Sequence, residues 1–396
     1  MDTALAGLRV LDFATFIAGP FTAGLLAEFG ADVIKVEQPG SGDPIRELGD
    51  KVNGRALFWA LEGRGRRSIT CNLRLPRGQA LALDLIRHAD VVIENFRPGT
   101  FERWHLGYER LREVNPGVIL LRISGYGQTG PYASRPGFGR IAQAFGGLTL
   151  LAGYPDRPPV LPGSATLADY AAGLFGACAV LAAKQYRDRT GRGQQIDVSL
   201  FESIFRFTDY LALGYDLLGT VRERIGTQAH AAPHNHYSTA DGKWIAIACT
   251  SDRLFHRLAA AMGDREWDED PNFQTMAQRA ARRQAVDARV SGWTSQHPLA
   301  ELQAILDAAE VPNSPINSIA DIFADPQYQA RQTLVTVDDP VLGPVRMPAP
   351  VPRLSETPAR IPRPAPEVGE HNAEVYGDLL GLTETDLAQL RDAGVI

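Results

Sequence analysis

Short apolar segments alternate with amphipathic helical segments between residues 7 and 130 of this 396-residue chain. The apolar segments are rich in Val, Leu and Ile and too short for helices, which is typical of buried strands. The predicted strands are 8–13, 32–37, 68–73, 90–95 and 118–123, and the predicted helices between them are 20–29, 77–89 and 108–115. This alternation predicts an α/β fold with a parallel sheet covered on both faces, and ligands at the carboxyl ends of the strands.

The remainder of the chain is organised differently. Helical sequence from about 167 to 218 is interrupted by a turn and a strand at 195–198. A hairpin is predicted over 237–248, with Asp-Gly at its turn, and helical sequence follows from 252 to 309. These elements indicate a smaller second domain over about 226–325, since a chain of this length is expected to form two domains. The proline-rich segment 340–366 is predicted to be an extended strap, after which the final helices return to the first domain.

The net charge, the hydropathy pattern and the cysteine positions argue against several kinds of partner and site. The formal net charge of −6 argues against nucleic acid as a partner. No apolar stretch approaches the length of a membrane span and the N-terminus has no signal-peptide pattern, so no membrane partner is expected. Cys71, Cys178 and Cys249 lie far apart in apolar segments. We expect them to be small buried residues rather than a metal site or disulfides, in a protein of the cytoplasm.

A single acidic residue, Asp169, precedes a run of Ala, Gly, Leu and Phe that follows the turn at Pro162-Gly163. A carboxylate in such a segment needs a reason, because burying an unpaired charge is costly. Asp169 can stabilise a helix start, where the helix dipole favours negative charge. It can also act as a nucleophile. Composition alone favours the first interpretation.

Several segments, taken together in chain order, resemble the class III CoA-transferases, the family that includes the formyl-CoA and carnitine-CoA transferases. The matching segments are GLRVLDF at 7–13, AGP at 18–20, LAEFGADVIKVE at 26–37, GSGD at 40–43, ENFRPG at 94–99, GYGQTGP at 125–131, TGRGQ at 190–194 and GEH at 369–371 followed by LLGL at 379–382. The resemblance covers essentially the whole chain. It implies a large Rossmann-like α/β domain begun by 1–225, a small α+β domain over 226–325, and a linker strap with a C-terminal return over 326–396. It also implies an interlocked homodimer, in which each chain threads through a ring made by the other.

The resemblance further implies that Asp169 is the catalytic nucleophile. Aspartate is ionised at neutral pH, so no separate base has to activate it. Its attack on an acyl-CoA gives an aspartyl anhydride, and the returning thiolate gives an aspartyl-CoA thioester. Coenzyme A is then a substrate, and no permanently bound cofactor or metal is implied. The residues that the resemblance places against CoA are Ile17, Ala18, Cys71, Asn72, Leu73, Arg74, Asn95, Phe96, Arg97, Arg103, Arg135, Gly137 and Phe138.

The chain departs from the formyl-CoA-type pattern in two places. It has no glycine-rich loop in the second domain, where 228–237 contains three histidines instead, and Gly139 stands where many relatives carry an acid. The missing loop puts oxalate-like substrates in doubt, and the role of the acid at position 139 does not carry over to this chain. We predict succinyl-CoA as donor, with a C4–C5 dicarboxylate as acceptor, such as malate, citramalate, itaconate or mesaconate. The groups predicted to hold a second carboxylate are Arg46, Arg140, His234 and His236. The histidines fit a polar loop at the domain junction equally well.

Three other functions compete with this prediction. An α-methylacyl-CoA racemase has the same fold but needs paired acid–base groups, where this chain has Phe138 and Gly139. A nucleotide-dependent oxidoreductase needs a glycine-rich phosphate-binding turn after the first strand, which 14–20 lacks. A non-catalytic binding protein is the third alternative, and the presence of Asp169 argues against it.

Overall fold

The computed structural model describes residues 3–396. Its strands are β1 (Arg9–Asp12), β2 (Asp32–Glu37), β3 (Lys51–Val52), β4 (Arg55–Ala56), β5 (Arg67–Thr70), β6 (Val91–Glu94), β7 (Ile119–Ser124), β8 (Gln195–Ser199), β9 (His234–Ser238), β10 (Trp244–Ala248), β11 (Asn313–Pro315), β12 (Leu334–Asp339) and β13 (Gly343–Pro348). Its helices are α1 (Ala18–Glu28), α2 (Leu57–Glu62), α3 (Pro76–Ile86), α4 (Thr100–Arg103), α5 (Tyr108–Val114), α6 (Gly139–Phe145), α7 (Leu148–Leu151), α8 (Leu167–Thr190), α9 (Leu200–Phe205), α10 (Leu211–Leu218), α11 (Asp252–Ala261), α12 (Arg265–Glu269), α13 (Met276–Ala281), α14 (Arg283–Thr294), α15 (Leu299–Ala308), α16 (Ile319–Ala324), α17 (Pro326–Ala330), α18 (Asn372–Leu380) and α19 (Glu384–Asp392).

Six parallel strands form the main sheet, in the order β5-β2-β1-β6-β7-β8. The chain builds outward from β1 in one direction and then from β6 in the other, so the strand order reverses between β1 and β6. Strands β6 and β7 are buried along their whole length, because helices cover both faces of the sheet. The α/β class and the parallel sheet predicted from the alternating pattern are confirmed.

Helix α8 packs closely along α1. A side chain at Gly173 would collide with the ring of Phe21 and the carbonyl oxygen of Ala18. Thr22 Oγ1 lies within hydrogen-bond distance of the carbonyl oxygens of Ala18 and Gly173, at 3.1 and 3.0 Å. This approach, which requires glycine, fixes the first turn of α8 beside the sheet.

The expectation that no apolar stretch approaches the length of a membrane span is wrong for α8. This helix has 24 residues and is apolar enough to cross a membrane by length and composition. In the fold, however, Ala168, Ala172 and Val180 of α8 belong to an apolar cluster with buried strand residues. The apolar composition therefore has a structural explanation in helix and sheet packing.

The chain divides into two compact units. The larger comprises the residues up to Thr149, Leu161–Thr220 and Gln332–Ile396, and the smaller comprises Leu150–Val160 and Val221–Arg331. The smaller unit has its own core and a three-stranded sheet, β11-β10-β9. The sequence did not indicate that 150–160 belongs to it. The segment expected to be an extended strap begins with β13, which forms an antiparallel hairpin with β12.

The three cysteines are free thiols, but they do not share one environment. Cys71 and Cys249 are buried as expected, and burial raises the pKa of each thiol to about 12. Cys178 is exposed, so the expectation of burial is wrong for this residue.

Candidate active site

A pocket of about 190 Å³ lies at the carboxyl ends of β1, β6 and β7. Ligands of doubly wound sheets bind at such strand ends, where the strand order reverses. The residues that line it are Thr15, Phe16, Ala18, Asn95, Phe96, Arg97, Pro98, Ile123, Ser124, Gly125, Ala133, Arg135, Pro136, Gly137, Phe138, Asp169 and Leu200.

Asp169 lies in the first turn of α8, three residues after Thr166, which precedes the helix. Among residues 3–396 its carboxylate has no hydrogen-bond partner except its own backbone N–H. Burial raises the pKa of Asp169 from 3.8 to about 7, and the backbone N–H offsets only part of this rise. Asp169 therefore does not cap a neighbouring backbone group, and its carboxylate remains available to a ligand in the pocket.

Gly139 begins α6 and lies directly against the Asp169 carboxylate. A side chain at this position would overlap Asp169 Oδ2 and come within 2.7 Å of the Ala165 carbonyl oxygen. No second acid therefore accompanies Asp169 from this position. Of the residues in the described chain that line the pocket, Asp169 is the one carboxylate, and Arg97 and Arg135 are the two cations.

The loop after β1, which forms one wall of the pocket, is held by buried side chains. Asn95 Oδ1 accepts a hydrogen bond from Thr15 N at 2.8 Å, and Asn95 Nδ2 donates one to Thr15 O at 2.7 Å. Phe16 has a φ of 62°, and its N–H donates to Asp43 Oδ1 at 3.0 Å. Asp43 is in turn paired with Lys35 at 2.7 Å. These contacts fix the loop before any ligand binds.

Replacing Asn95 with Asp is expected to weaken acyl-CoA binding while leaving the fold intact. A carboxylate can still accept from Thr15 N, but it repels Thr15 O instead of donating to it. We expect KM for the acyl-CoA to rise roughly tenfold, the effect of losing one hydrogen bond in a partly buried site. Asn115→Asp is the matched control, because Asn115 holds the Ile86 and Ala89 carbonyls in the same way outside the pocket. An equal KM change in both variants would contradict this role for Asn95.

The structure brings together only part of the predicted CoA site. The predicted residues that line the pocket are Ala18, Asn95, Phe96, Arg97, Arg135, Gly137 and Phe138. Cys71 and Leu73 belong instead to the core beneath the sheet, and Ile17 to a smaller apolar cluster, so the structure does not bring these side chains to the pocket. Asn72, Arg74 and Arg103 also lie outside it; Arg74 and Arg103 are exposed.

The four residues predicted to hold a second carboxylate have different surroundings. Arg46 is not available, because its guanidinium pairs with Glu37 at 2.8 Å and stacks over Trp59 at 3.7 Å. Arg140 is exposed on α6, next to Gly139. His234 and His236 lie on β9 of the smaller unit, two residues apart and hence on one face of that strand.

The sequence analysis missed several pocket residues, among them Thr15, Phe16, Ser124, Gly125 and Leu200. Ser124 and Gly125 follow immediately after the predicted strand 118–123. The rule that ligands bind at the carboxyl ends of parallel strands was therefore sufficient to identify them. Leu200 could not be identified by this rule, because its position at the pocket depends on how α9 packs.

The raised pKa of Asp169 predicts a pH dependence of activity. A carboxylate nucleophile must be ionised, so kcat/KM for the acyl-CoA in the free enzyme is expected to rise with pH and level off above about 7. Below that value it should fall about tenfold per pH unit. Initial rates between pH 5 and 9 measure this profile, with a stability check at each pH. A rate that stays constant down to pH 5 would contradict it.

The raised pKa of Asp169 also predicts how the free energy of unfolding changes with pH. Between pH 3.8 and about 7 the unfolded chain releases the Asp169 proton while the folded protein retains it, so rising pH lowers the free energy of unfolding. Asp169→Asn removes this effect and is expected to be more stable than the natural protein at pH 8, by up to about 4 kcal/mol at about 1.4 kcal/mol per pKa unit. The difference should decrease as the pH is lowered towards 4. Urea unfolding of both proteins at the two pH values tests this expectation.

The chain is similar to known proteins over nearly its whole length. The family model described as CoA-transferase family III matches residues 5–372. The succinyl-CoA–L-malate CoA-transferase beta subunit of Chloroflexus aurantiacus is 48% identical, over 99% of this chain and 98% of that protein. The succinyl-CoA–D-citramalate CoA-transferase of the same organism is 45% identical, with coverage of 99% and 98%. The crystal structure of a CAIB/BAIF family protein from Brucella suis is similar, with a TM-score of 0.83, 38% identity, and coverage of 96% of this chain and 100% of that one.

Proposed function

The chain belongs to CoA-transferase family III, and we propose that it transfers CoA from succinyl-CoA to a C4–C5 dicarboxylate through Asp169. Membership makes it an enzyme whose substrates are an acyl-CoA and a carboxylic acid. The observation that supports the role of Asp169 is its isolated carboxylate, which lines the pocket at the strand ends and has no partner among residues 3–396 apart from its own N–H.

The reaction proceeds in four balanced steps. An Asp169 oxygen attacks the thioester carbonyl of the donor, the C–S bond breaks, CoA leaves as a thiolate, and a mixed anhydride between Asp169 and the donor acid remains. The thiolate attacks the aspartyl carbonyl, the donor acid leaves as a carboxylate, and an aspartyl-CoA thioester remains. The acceptor carboxylate attacks the aspartyl carbonyl of this thioester, the C–S bond breaks, and a second anhydride forms as the CoA thiolate leaves. The thiolate then attacks the acceptor carbonyl, which releases the new acyl-CoA and restores the Asp169 carboxylate.

Burial of Asp169 serves this chemistry in two ways. A carboxylate that is poorly solvated is a stronger nucleophile than one in water, and the raised pKa reports that loss of solvation. Excluding water also protects the anhydride and thioester intermediates from hydrolysis. Asn95 and Asp43 hydrogen-bond the backbone of the loop that forms the pocket wall.

The pocket supports transfer over racemisation. Racemisation requires one group to remove the α-proton and another to return it, and Phe138 and Gly139 offer neither. The deciding test is to incubate the enzyme with a 2-methylacyl-CoA in deuterium oxide. A transferase leaves the α-hydrogen in place, whereas washing-in of deuterium at the α-carbon would favour the racemase.

The substrate proposal rests on the departures from the formyl-CoA-type pattern and on the relatives described above, whose names give succinyl-CoA as donor and L-malate or D-citramalate as acceptor. We assign the second carboxylate to Arg140, with His234 and His236 as further candidates. A panel of acids offered with succinyl-CoA and with acetyl-CoA, read by mass spectrometry of the CoA products, tests this. C4–C5 dicarboxylates should react fastest, because a monocarboxylate leaves a cation of the site unpaired. Faster transfer to long-chain or aromatic monocarboxylates would overturn the substrate while leaving the transferase class in place.

We propose that the nucleotide of CoA extends beyond the residues that line this pocket. Arg74, Arg97 and Arg103 are exposed, and guanidinium groups bind phosphate through paired, charge-assisted hydrogen bonds. We assign the CoA phosphates to these three arginines. Asn72 lies close in sequence to Arg74 and is the remaining candidate of the predicted set.

We also propose that the enzyme is an interlocked homodimer located in the cytoplasm, where its cysteines would stay reduced. Helix α10 buries none of its residues within the described chain, although it is largely apolar. Leu217 and Leu218 are 75% and 78% exposed, which is unusual unless a second chain covers them. Light scattering of the chain expressed alone should give a dimer at micromolar concentration, and Leu217→Glu with Leu218→Glu should weaken it. A monomer would contradict the homodimer.

A further inference from the structure

Ser124, the last residue of β7, has a buried hydroxyl without a partner. The residue is 8% exposed, and among residues 3–396 Ser124 Oγ makes no hydrogen bond. It nevertheless lines the pocket that contains Asp169. A buried hydroxyl is normally satisfied, so an orphan that lines a ligand pocket is available to hydrogen-bond a bound ligand.

The strand geometry places this hydroxyl away from the reacting carboxylate. Side chains alternate along β7, so Ser124 shares a face with Arg122, which pairs with Glu94 at 2.6 Å. Ile123 faces the other way and joins the apolar cluster that contains Ala168, the neighbour of Asp169. Ser124 therefore lies on the opposite face of the sheet end from the helix that carries the nucleophile.

The position calls for a polar substrate group that reaches the face of β7 opposite the helix that carries Asp169. The pantetheine arm of CoA has this chemistry, since its amides both donate and accept hydrogen bonds and a hydroxyl can satisfy either. We propose that Ser124 Oγ hydrogen-bonds a pantetheine amide and is a CoA-binding residue rather than a participant in the chemistry. The proposal rests on the proposed CoA-transferase function.

Ser124→Ala tests this proposal through the melting temperature of the free protein and its affinity for CoA. If Ser124 only stabilised the fold, the substitution would lower the melting temperature and leave the CoA affinity unchanged. Removing an orphan hydroxyl should leave the melting temperature of the free protein unchanged or raised, whereas CoA affinity by calorimetry should fall about tenfold. The KM for the acyl-CoA should rise by a similar factor with kcat unchanged, because the contact is present in both ground and transition states. Ser124→Cys, which retains a weak donor, should fall between the two proteins.

Ser203→Ala is the matched control, because Ser203 is equally buried but its hydroxyl is satisfied by Ser199 O at 2.8 Å. This variant should lose stability and keep its CoA affinity. Adenosine 3′,5′-bisphosphate, which lacks pantetheine, should bind Ser124→Ala as well as the natural protein. Unchanged CoA affinity in Ser124→Ala, or a loss of kcat at constant KM, would overturn the inference. Failure of the natural protein to bind CoA at all would instead overturn the proposed function.

Discussion

Asp169→Ala is expected to abolish CoA transfer while the protein remains folded. The Asp169 carboxyl group is one half of both anhydrides, and no other acid lines the pocket within the described chain. Asp169→Asn keeps nearly the same shape but replaces the nucleophile with an amide, so it should be almost as inactive. We expect each variant to lose more than ~10³-fold in kcat/KM, since covalent catalysis carries the reaction. Steady-state assays with succinyl-CoA and a dicarboxylate measure the loss.

The control for this prediction is Asp197→Asn. Asp197 is another half-buried carboxylate whose pKa is raised by burial, but it accepts a hydrogen bond from Gln128 N and lies outside the pocket. Its substitution should change stability more than kcat. Substantial residual transfer in both Asp169 variants would mean that a different group is the nucleophile.

Gly139→Ala is expected to be the second most damaging change, although it adds one methyl group. The new side chain would overlap Asp169 Oδ2 and approach the Ala165 carbonyl oxygen within 2.7 Å. Since the backbone carbonyl is fixed by the start of α8, the carboxylate must rotate away from its position in the pocket. A displacement of about 1 Å in a reacting group can cost about 10²-fold, so we expect at least that loss in kcat.

The comparison that isolates this effect is Gly292→Ala in α14, where an added methyl group would meet no neighbouring atom. Alanine in a helix interior is normally more stable than glycine, by roughly 0.5–1 kcal/mol. Gly292→Ala should therefore raise the melting temperature and leave kcat alone. Full activity in Gly139→Ala would show that the Asp169 carboxylate is free to take another position without cost.

The parallel sheet and the helices that cover it could be predicted from the sequence, because local residue patterns determine them. The alternation of Val-rich segments with helices gave the parallel sheet, and the second strand was predicted with its observed bounds, 32–37. The third predicted strand, 68–73, ends earlier, at Thr70. Cys71 and Leu73, which follow it, lie in the same apolar cluster as residues of α3, and alternating apolar residues do not distinguish a strand from the core contacts that follow it.

The surroundings of individual site residues could not be predicted from the sequence, because they depend on contacts between distant parts of the chain. Arg46 was predicted to be available for a substrate carboxylate, but Glu37 at the end of β2 and Trp59 on α2 already hold it. Gly139 was noted only as a departure from a family pattern. Its contact with Asp169, thirty residues further along the chain, exists only once α6 and α8 have packed.

The central claim is that Asp169 becomes covalently linked to each acid in turn, and oxygen-18 labelling tests it most directly. When an acceptor labelled in its carboxylate attacks the aspartyl-CoA thioester, its oxygen bridges the second anhydride. The final attack of the thiolate then leaves that oxygen on Asp169. After turnover with labelled dicarboxylate and succinyl-CoA, mass spectrometry of the peptide containing Asp169 should show oxygen-18 in that side chain. Rapid transfer with an unlabelled Asp169 would contradict the account.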